Sequence, residues 1–254
     1  MILITQERVG RAHNEILALQ MAARSKGWDV IQAPSGWRLN EELTKSGVKG
    51  VPYGSQTFCE VIAQQMGWTL KGNSFDWLAK LPYNALGRKV DFMTLGEAEK
   101  LTERKFIKPA DDKCFDAKIY MPGEFKPHEI ISKDYPVLVS DVVQFDLEYR
   151  CFVIPKSNKS PRIKTWSNYI FYEEIANPKF WNMIPAELGE PGDWLEPYLY
   201  DFFFDGPETV PSVIDVGRIP GQGWAIIETN QAWASGLYGC DPVRALEVME
   251  AACE

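Results

Sequence analysis

Residues 213–230 read VIDVGRIPGQGWAIIETN and are the most informative segment of the chain. Its pattern predicts two apolar strands joined by a turn, with Asp215 on the first strand and Glu228 and Asn230 at the end of the second. Because residues two apart on a strand point to the same face, Glu228 and Asn230 should present their oxygens side by side. An adjacent antiparallel strand adds the carboxylate of Asp215. Three hard oxygens at the end of a sheet suit Mg²⁺, which keeps several waters and bridges to substrate phosphates.

A lysine upstream of this segment is a candidate for binding phosphate. Lys108 ends the strand-like run 105–108 and is followed by Pro109 and a polar loop, residues 110–116. A lysine that emerges from a strand acts as a point charge on a phosphate, and Lys113 on the loop could add a second charge. The alternative is an ordinary solvated lysine, and the Lys-Pro pair alone does not decide between the two.

Two runs in the middle of the chain carry further candidates. Residues 137–143, VLVSDVV, could line an adenine, since purine edges are read by backbone groups at a strand end; the alternative is a core strand. In the next run, residues 145–153, Glu148 and Arg150 share one strand face. A carboxylate suits ribose hydroxyls and a guanidinium suits a phosphoryl group in transfer. The alternative is a mutual surface ion pair of little energetic value.

The composition limits the class of protein. With 254 residues, 45% of them hydrophobic, the chain is long enough for one large or two modest cores. A net charge of −8 argues against broad nucleic-acid binding, which depends on basic contacts to phosphates. Five cysteines without a Cys-x-x-Cys pair, and only two histidines, argue against a zinc site and a disulfide framework. We expect reduced thiols in a cytosolic protein.

No part of the sequence predicts an association with membranes. No stretch approaches the ~18 apolar residues of a membrane span. The apolar run at residues 2–5 has no basic leader and no small-residue cleavage site, so it predicts a strand and not a signal peptide. The expectation is a soluble, cytoplasmic protein.

The order of predicted elements indicates two domains, an α/β domain over residues 1–85 and an α+β domain over residues 86–254. In the first, strands alternate with helices, which predicts a mostly parallel sheet. Its predicted strands are residues 2–5, 28–31 and 48–51, and its helices end at Gly27 and Gly67, the second beginning at the cap Ser55.

The second domain is expected to be rich in antiparallel strands. Its predicted strands are residues 105–108, 137–143, 147–154, 163–170, 212–216 and 224–230. Thr94 and Glu97 have capping-box spacing and predict a short helix. Residues 193–204 are interpreted as a helix beneath the sheet, and a last helix is predicted from Asp241 to Glu250.

Several common catalytic motifs do not occur. The sequence has neither G-x-G-x-x-G nor G-x-x-x-x-G-K-[ST], so a glycine-rich phosphate loop is not predicted. It also lacks a G-x-S-x-G elbow. His13 and His128 are far apart, which argues against a hydrolase triad.

Taken together and in this order, the motifs resemble the ATP-grasp superfamily. Within it the chain looks most like a clade of small ATP-grasp domain proteins, often encoded by phages or bacteria. The likeness spans nearly the whole chain and rests on residues 51–55, 106–109, 141–144, 148–153, 215–217, 228–230 and 235–236. It implies an ATP-grasp fold with an N-terminal pre-ATP-grasp α/β domain, followed by two α+β subdomains that close on ATP.

The resemblance also implies residue roles. The nucleotide contacts would come from Lys108 at the phosphates, Ser140, Asp141, Val142 and Val143 at the adenine, and Glu148 at the ribose. The Mg²⁺ ligands would be Asp215, Glu228 and Asn230. Arg150 would stabilise the transferring phosphoryl group, with Arg218 and Lys113 as further catalytic candidates.

The implied activity is an ATP- and Mg²⁺-dependent carboxylate–amine ligase that works through an acyl phosphate and releases ADP, with an amino acid or peptide as the candidate substrate. The alternatives are a small-molecule kinase and a nucleotide-binding module without turnover. The chain departs from the family in two ways. Its loop 110–116 contains no glycine where many members have a long glycine-rich lid, and the second phosphate lysine could be either Lys80 or Lys89.

Overall fold

The computed structural model describes residues 1–8, 10–111, 114–155, 162–168 and 210–254. Two sequence predictions, the catalytic candidate Lys113 and the helix over residues 193–204, lie outside the described residues. The described helices are α1 (Arg11–Ser25), α2 (Glu41–Lys45), α3 (Gln56–Met66), α4 (Tyr83–Leu86), α5 (Leu95–Ala98) and α6 (Pro242–Ala251). Short 3-10 helices cover Leu78–Lys80 and Ala232–Ala234.

The N-terminal sheet is parallel, as the sequence predicts. Its strands β1 (Ile2–Thr5), β2 (Asp29–Gln32) and β3 (Gly50–Tyr53) lie in the order β2-β1-β3. All four residues of β1 are buried, which is typical of a central strand covered on both faces. Its core contains residues of α1, α3 and α6.

Local capping signals place the helix ends. The Ser55 side chain accepts a hydrogen bond from the Phe58 amide at the start of α3, and Gly67 ends that helix with a φ of 69°. Thr94 and Glu97 form the predicted capping box at α5. Asp241 caps α6 as predicted.

A second sheet is antiparallel and has the order β4-β7-β5-β6. Its strands are β4 (Val90–Thr94), β5 (Lys105–Pro109), β6 (Lys118–Tyr120) and β7 (Pro136–Ser140). The prediction for β7 was too long, because the sheet pairing stops at Ser140, opposite Val90. After that residue the Asp141 amide donates to the Lys89 carbonyl, so Val142 and Val143 leave the strand.

The third sheet contains residues 213–230, which carry the three predicted metal ligands. Its order is β11-β10-β8-β9, with β8 (Leu147–Ile154), β9 (Arg162–Asn168), β10 (Ser212–Ile219) and β11 (Gly223–Gln231). β8 has the predicted bounds, whereas β10 and β11 extend three residues and one residue further toward their carboxyl ends than predicted. Three residues join β10 to β11, so these neighbours form an antiparallel hairpin.

The chain divides into two compact units. The first unit is Met1–Asn73, Tyr149–Asp215 and Thr229–Glu254; the second unit is Ser74–Glu148 and Val216–Glu228. The domain boundaries expected from sequence, 1–85 and 86–254, stay a prediction. Among the described residues, none of the helices is long and apolar enough to cross a membrane.

Candidate functional site

In the first unit, Asp215 and Arg150 form a buried ion pair. Arg150 Nε donates to Asp215 Oδ1 at 2.9 Å, and Nη2 donates to Oδ2 at 2.6 Å. The side chains are 6% and 5% exposed, respectively. This bidentate geometry fixes the carboxylate in both position and plane. β8 and β10, which carry the two residues, are neighbours in the third sheet.

Two further contacts hold the guanidinium of Arg150. Nη1 donates to the carbonyl oxygen of Gly236 at 3.1 Å, and the Tyr238 ring centroid lies 4.5 Å from Cζ. Tyr238 has a φ of 48°, which is uncommon for a bulky residue. The role of Arg150 at a transferring phosphoryl group stays a prediction. Its two hydrogen bonds to Asp215 orient that carboxylate.

Two of the three predicted metal ligands lie together in the first unit. Asn230 Nδ2 donates to Asp215 Oδ2 at 3.4 Å. Asn73, which the sequence analysis missed, supports this pair of strands: its amide nitrogen donates to Ser212 Oγ at 3.2 Å and to Thr229 Oγ1 at 2.7 Å. An asparagine in a loop carries no local signal for that role.

In the second unit, Lys108 contacts the third predicted metal ligand. Lys108 Nζ lies 2.5 Å from Glu228 Oε2, and the two side chains are 19% and 28% exposed. Their predicted roles were separate, phosphate binding for Lys108 and metal binding for Glu228, and contact between the two side chains was not predicted. In this ion pair each group neutralises the charge of the other.

The predicted adenine-binding residues follow the end of β7. Ser140 is buried, and Val142 and Val143 are half-buried outside any strand. Asp141 accepts hydrogen bonds from Lys105 Nζ at 2.8 Å and from the Lys89 amide at 3.1 Å. The hydrogen bond from Lys105 is the main reason that the pKa of Asp141 lies below its ordinary value.

The remaining catalytic and ribose candidates also lie in the second unit. Arg218 donates from Nε and Nη2 to both oxygens of Asp146, at 2.8 and 2.6 Å. The hydrogen bond from Arg218 lowers the pKa of Asp146. Glu148 is half-buried on β8.

Neither lysine proposed as a second phosphate contact is buried in the second unit. Lys80 pairs with Asp76 at 2.8 Å and Lys89 pairs with Asp91 at 2.9 Å, with 49% and 68% of the lysine side chains exposed. The buried cation of this segment is Arg88, at 5% exposure. The burial of Arg88 was not predicted, because nothing in the local sequence pattern distinguishes it from the lysines around it.

The predicted metal ligands have the chemistry that Mg²⁺ prefers. Two carboxylates and one amide supply hard oxygens. Among the described residues, no group of three or more His, Cys, Asp or Glu could hold a metal ion. Asp215 and Asn230 belong to the first unit and Glu228 to the second, so a metal site made by all three stays a prediction.

Comparison with solved structures relates the fold to known proteins. A RimK domain protein ATP-grasp from Sphaerobacter thermophilus is 14% identical, with a TM-score of 0.54 over 99% of this chain and 98% of that chain. D-alanyl-alanine synthetase A from Vibrio cholerae is 15% identical, with a TM-score of 0.55 over 97% and 92%. D-cycloserine synthetase DcsG is 11% identical, with a TM-score of 0.50 over 98% and 99%. At these identities the likeness shows the fold alone.

Sequence comparison relates the chain to a family. No curated protein matches it. A family described as an ATP-grasp domain, family 3 of its clade, matches residues 44–248, about four fifths of the chain. The ATP-grasp fold expected from the order of the motifs is thereby confirmed. The chain belongs to this family of ATP-grasp domains.

Proposed function

We propose that the protein is an ATP- and Mg²⁺-dependent ligase that joins a carboxylate to an amine and releases ADP. One observation carries the proposal: Lys108 and Glu228, assigned separately to phosphate and to metal, lie 2.5 Å apart although 120 positions separate them in the chain. A phosphate-binding cation and a metal-binding carboxylate would be neighbours in a site that holds Mg²⁺ together with nucleotide phosphates.

The charge pairing at Lys108 suits this chemistry. In the proposed site the ammonium of Lys108 would contact a phosphate oxygen of the nucleotide, and Glu228, Asp215 and Asn230 would hold Mg²⁺ through their oxygens. Bound Mg²⁺ would neutralise part of the negative charge of the phosphates. Arg150 keeps Asp215 in one orientation through its two hydrogen bonds, which reduces the reorganisation needed on binding.

The remaining nucleotide contacts are proposed from their positions in the sequence. Ser140, Asp141, Val142 and Val143 bind the adenine, and Glu148 binds the ribose hydroxyls. Support comes from the half-buried setting of Glu148 and from the way β7 stops at Ser140, which leaves backbone beyond it outside the sheet ladder. Arg150, Arg218 and Lys113 are the catalytic candidates for phosphoryl transfer.

The proposed reaction has two steps. In the first, a carboxylate oxygen of the substrate attacks the γ-phosphorus of ATP, an oxygen–phosphorus bond forms, the β–γ bridge breaks and ADP leaves. In the second, the amine attacks the acyl phosphate carbon, phosphate leaves with the carbon–oxygen bond electrons, and the nitrogen loses a proton. The protein contributes positioning and charge stabilisation to both steps. The proposed carboxylate substrate is an amino acid or the end of a peptide, and the second substrate is an amine.

Nucleotide-dependent thermal stabilisation tests the site. A ligand that binds only the folded state raises the unfolding midpoint, so ATP with Mg²⁺ should raise it more than ATP with a chelator. Glu228→Gln should remove the Mg²⁺ increment, and Lys108→Met should reduce the shift with ATP. Lys133→Met is the matched control, because it removes a lysine from an exposed ion pair with Glu99. No shift with any nucleotide would contradict the proposal.

Release of ADP distinguishes ligase from kinase. Pools of carboxylates should yield ADP in an amine-dependent manner under the ligase proposal, and the product should have lost one water relative to its two substrates. ADP release that is complete without any amine, with a stable phosphorylated product, would identify a kinase. A Mg²⁺-dependent shift without turnover on any pool would favour the nucleotide-binding module.

A further inference from the structure

Arg88 is a buried cation that donates its side-chain hydrogen bonds to main-chain carbonyl groups. Its Nη1 donates to the carbonyl oxygens of Leu86 and Ile226, each at 2.9 Å, and its Nη2 donates to that of Ile227 at 2.9 Å. The residue lies between α4 and β4, and its contacts with Ile226 and Ile227 are on β11. All of these residues belong to the second unit. Arg88 thus bonds the segment between α4 and β4 to β11, the strand that carries Glu228.

The surroundings of Arg88 hold its guanidinium in one place. The Phe145 ring centroid lies 5.4 Å from Cζ. The residue before Arg88 is Gly87, and its lack of a side chain lets the backbone pack closely against Ile219: a Cβ there would lie 2.7 Å from Ile219 Cδ1. Burial lowers the pKa of Arg88 to about 10, and the charges of Glu228 and Asp141 offset part of that effect. The side chain therefore stays charged at neutral pH, and a planar fork of donors bridges three carbonyls as a lysine could not.

The next residue connects the same segment to the end of β7. The Lys89 carbonyl accepts from the Asp141 amide at 3.0 Å, and the Lys89 amide donates to Asp141 Oδ2 at 3.1 Å. Residues 88–89 are thus bonded to β11 just before Glu228 and to the chain just after Ser140. In the proposed function these are the metal side and the adenine side of the nucleotide site.

We propose that Arg88 is a positioning residue that holds the β11 backbone so that Glu228 meets Lys108 and the metal. The proposal rests on the proposed function for what Glu228 binds, but the anchoring of β11 is a property of the fold alone. It differs from a direct phosphate contact, because Arg88 directs its described hydrogen bonds to the backbone of Leu86, Ile226 and Ile227. A residue acting in this way changes metal affinity by about 10–100-fold when it is replaced.

The test compares Arg88→Lys, which keeps the charge but not the planar fork of donors, with the control Lys133→Met, which removes an exposed lysine paired with Glu99. The unfolding midpoint is measured with ATP over a range of Mg²⁺ concentrations and with ATP plus a chelator. We expect Arg88→Lys to raise the Mg²⁺ concentration for half-maximal stabilisation about 10-fold or more, with the chelator value unchanged. Arg88→Met should show the same effect if it folds, and Lys133→Met should behave as wild type.

Hydrogen exchange of peptides covering residues 223–231 provides a second readout that needs no nucleotide. Exchange there should be faster in Arg88→Lys than in wild type and unchanged in Lys133→Met. Wild-type exchange in Arg88→Lys, or an unchanged Mg²⁺ requirement, would overturn the positioning role. Equal loss of the ATP shift with and without Mg²⁺ would overturn it in favour of direct phosphate contact. If wild type shows no nucleotide shift, the proposed function fails, and the exchange data still decide whether Arg88 anchors β11.

Discussion

At the scale of single residues, two arginine–carboxylate pairs share a geometry but differ in burial. Arg150–Asp215 and Arg218–Asp146 are both bidentate, with Nη2–Oδ2 distances of 2.6 Å. The first pair is 6% and 5% exposed, and the second is 24% and 34% exposed. Breaking a buried pair leaves a charge without compensation, whereas water replaces most of what a partly exposed pair provides. Burial should therefore decide their contributions to stability.

Arg150→Met should lower the free energy of unfolding by about 3–5 kcal/mol, because it leaves the Asp215 carboxylate buried without its partner. The matched variant Arg218→Met should change it by no more than about 1 kcal/mol. Urea denaturation at pH 7 measures both. Equal effects of the two substitutions would show that burial does not govern these pairs.

The lowered pKa of Asp146 predicts a stability contribution that depends on pH. Its pKa is below the ordinary value because the folded state stabilises the ionised form through Arg218. Such a group stabilises the fold above its unfolded pKa, about 3.9, and the contribution is lost as the pH falls through the folded value. Wild type should exceed Asp146→Asn in unfolding free energy at pH 7, and the difference should shrink below about pH 4. A difference independent of pH over that range would contradict the assignment.

At the scale of elements, β10 can pass its neighbours only with a glycine at position 217. A Cβ at Gly217 would lie 2.6 Å from Phe145 Cδ1, 2.8 Å from Ile227 Cδ1 and 2.9 Å from the Leu147 carbonyl oxygen. The carbonyl belongs to β8 and cannot move without disturbing the sheet. The close packing of β10 therefore depends on the absence of a side chain.

Gly217→Ala should destabilise the protein by about 1–3 kcal/mol, the usual cost of overpacking. Gly72→Ala is the control, since its Cβ would meet only the side chain of Gln231, at 3.1 Å, which can move aside. Urea denaturation of both variants is the measurement. A stable Gly217→Ala with unchanged midpoint would mean that β10 shifts more easily than its packing indicates.

The helices and strands differ in how far local sequence predicts them. The α3 helix begins and ends where Ser55 and Gly67 indicate, because capping is decided within one turn of the chain. The strands β4 and β6 were missed. Each has five residues or fewer and is defined by its pairing within the sheet, β4 with β7 and β6 with β5. Short strands of this kind have little signal of their own.

At the scale of the whole molecule, the cysteines report on the fold. Cys59, Cys151 and Cys240 are buried, Cys253 is partly buried and Cys114 is exposed. Burial raises the pKa of the four less accessible thiols, to about 12 for Cys240 and Cys253. Because the thiolate is the reactive form, their alkylation requires opening of the structure.

In the native protein at pH 8, one thiol should react rapidly with a thiol reagent and four slowly. Cys114→Ser should abolish the rapid phase, because that thiol is the exposed one. The slow phase should accelerate with urea in parallel with unfolding followed by circular dichroism. Several thiols reacting at the fast rate would contradict the burial of these side chains.

Local patterns in the sequence were enough to predict most of the elements and the family. Strand alternation placed Glu228 and Asn230 on one face, capping residues placed the ends of α3 and α6, and the order of motifs indicated an ATP-grasp fold before any contact was known. The partners of the charged side chains could be identified only from the folded structure. Lys108 and Glu228 are 120 positions apart, Arg150 and Asp215 are 65 apart, and Arg88 reaches backbone 138 and 139 positions away. Local patterns reflect forces that act over one turn or one strand, whereas these partners are chosen by sheet order and strand register.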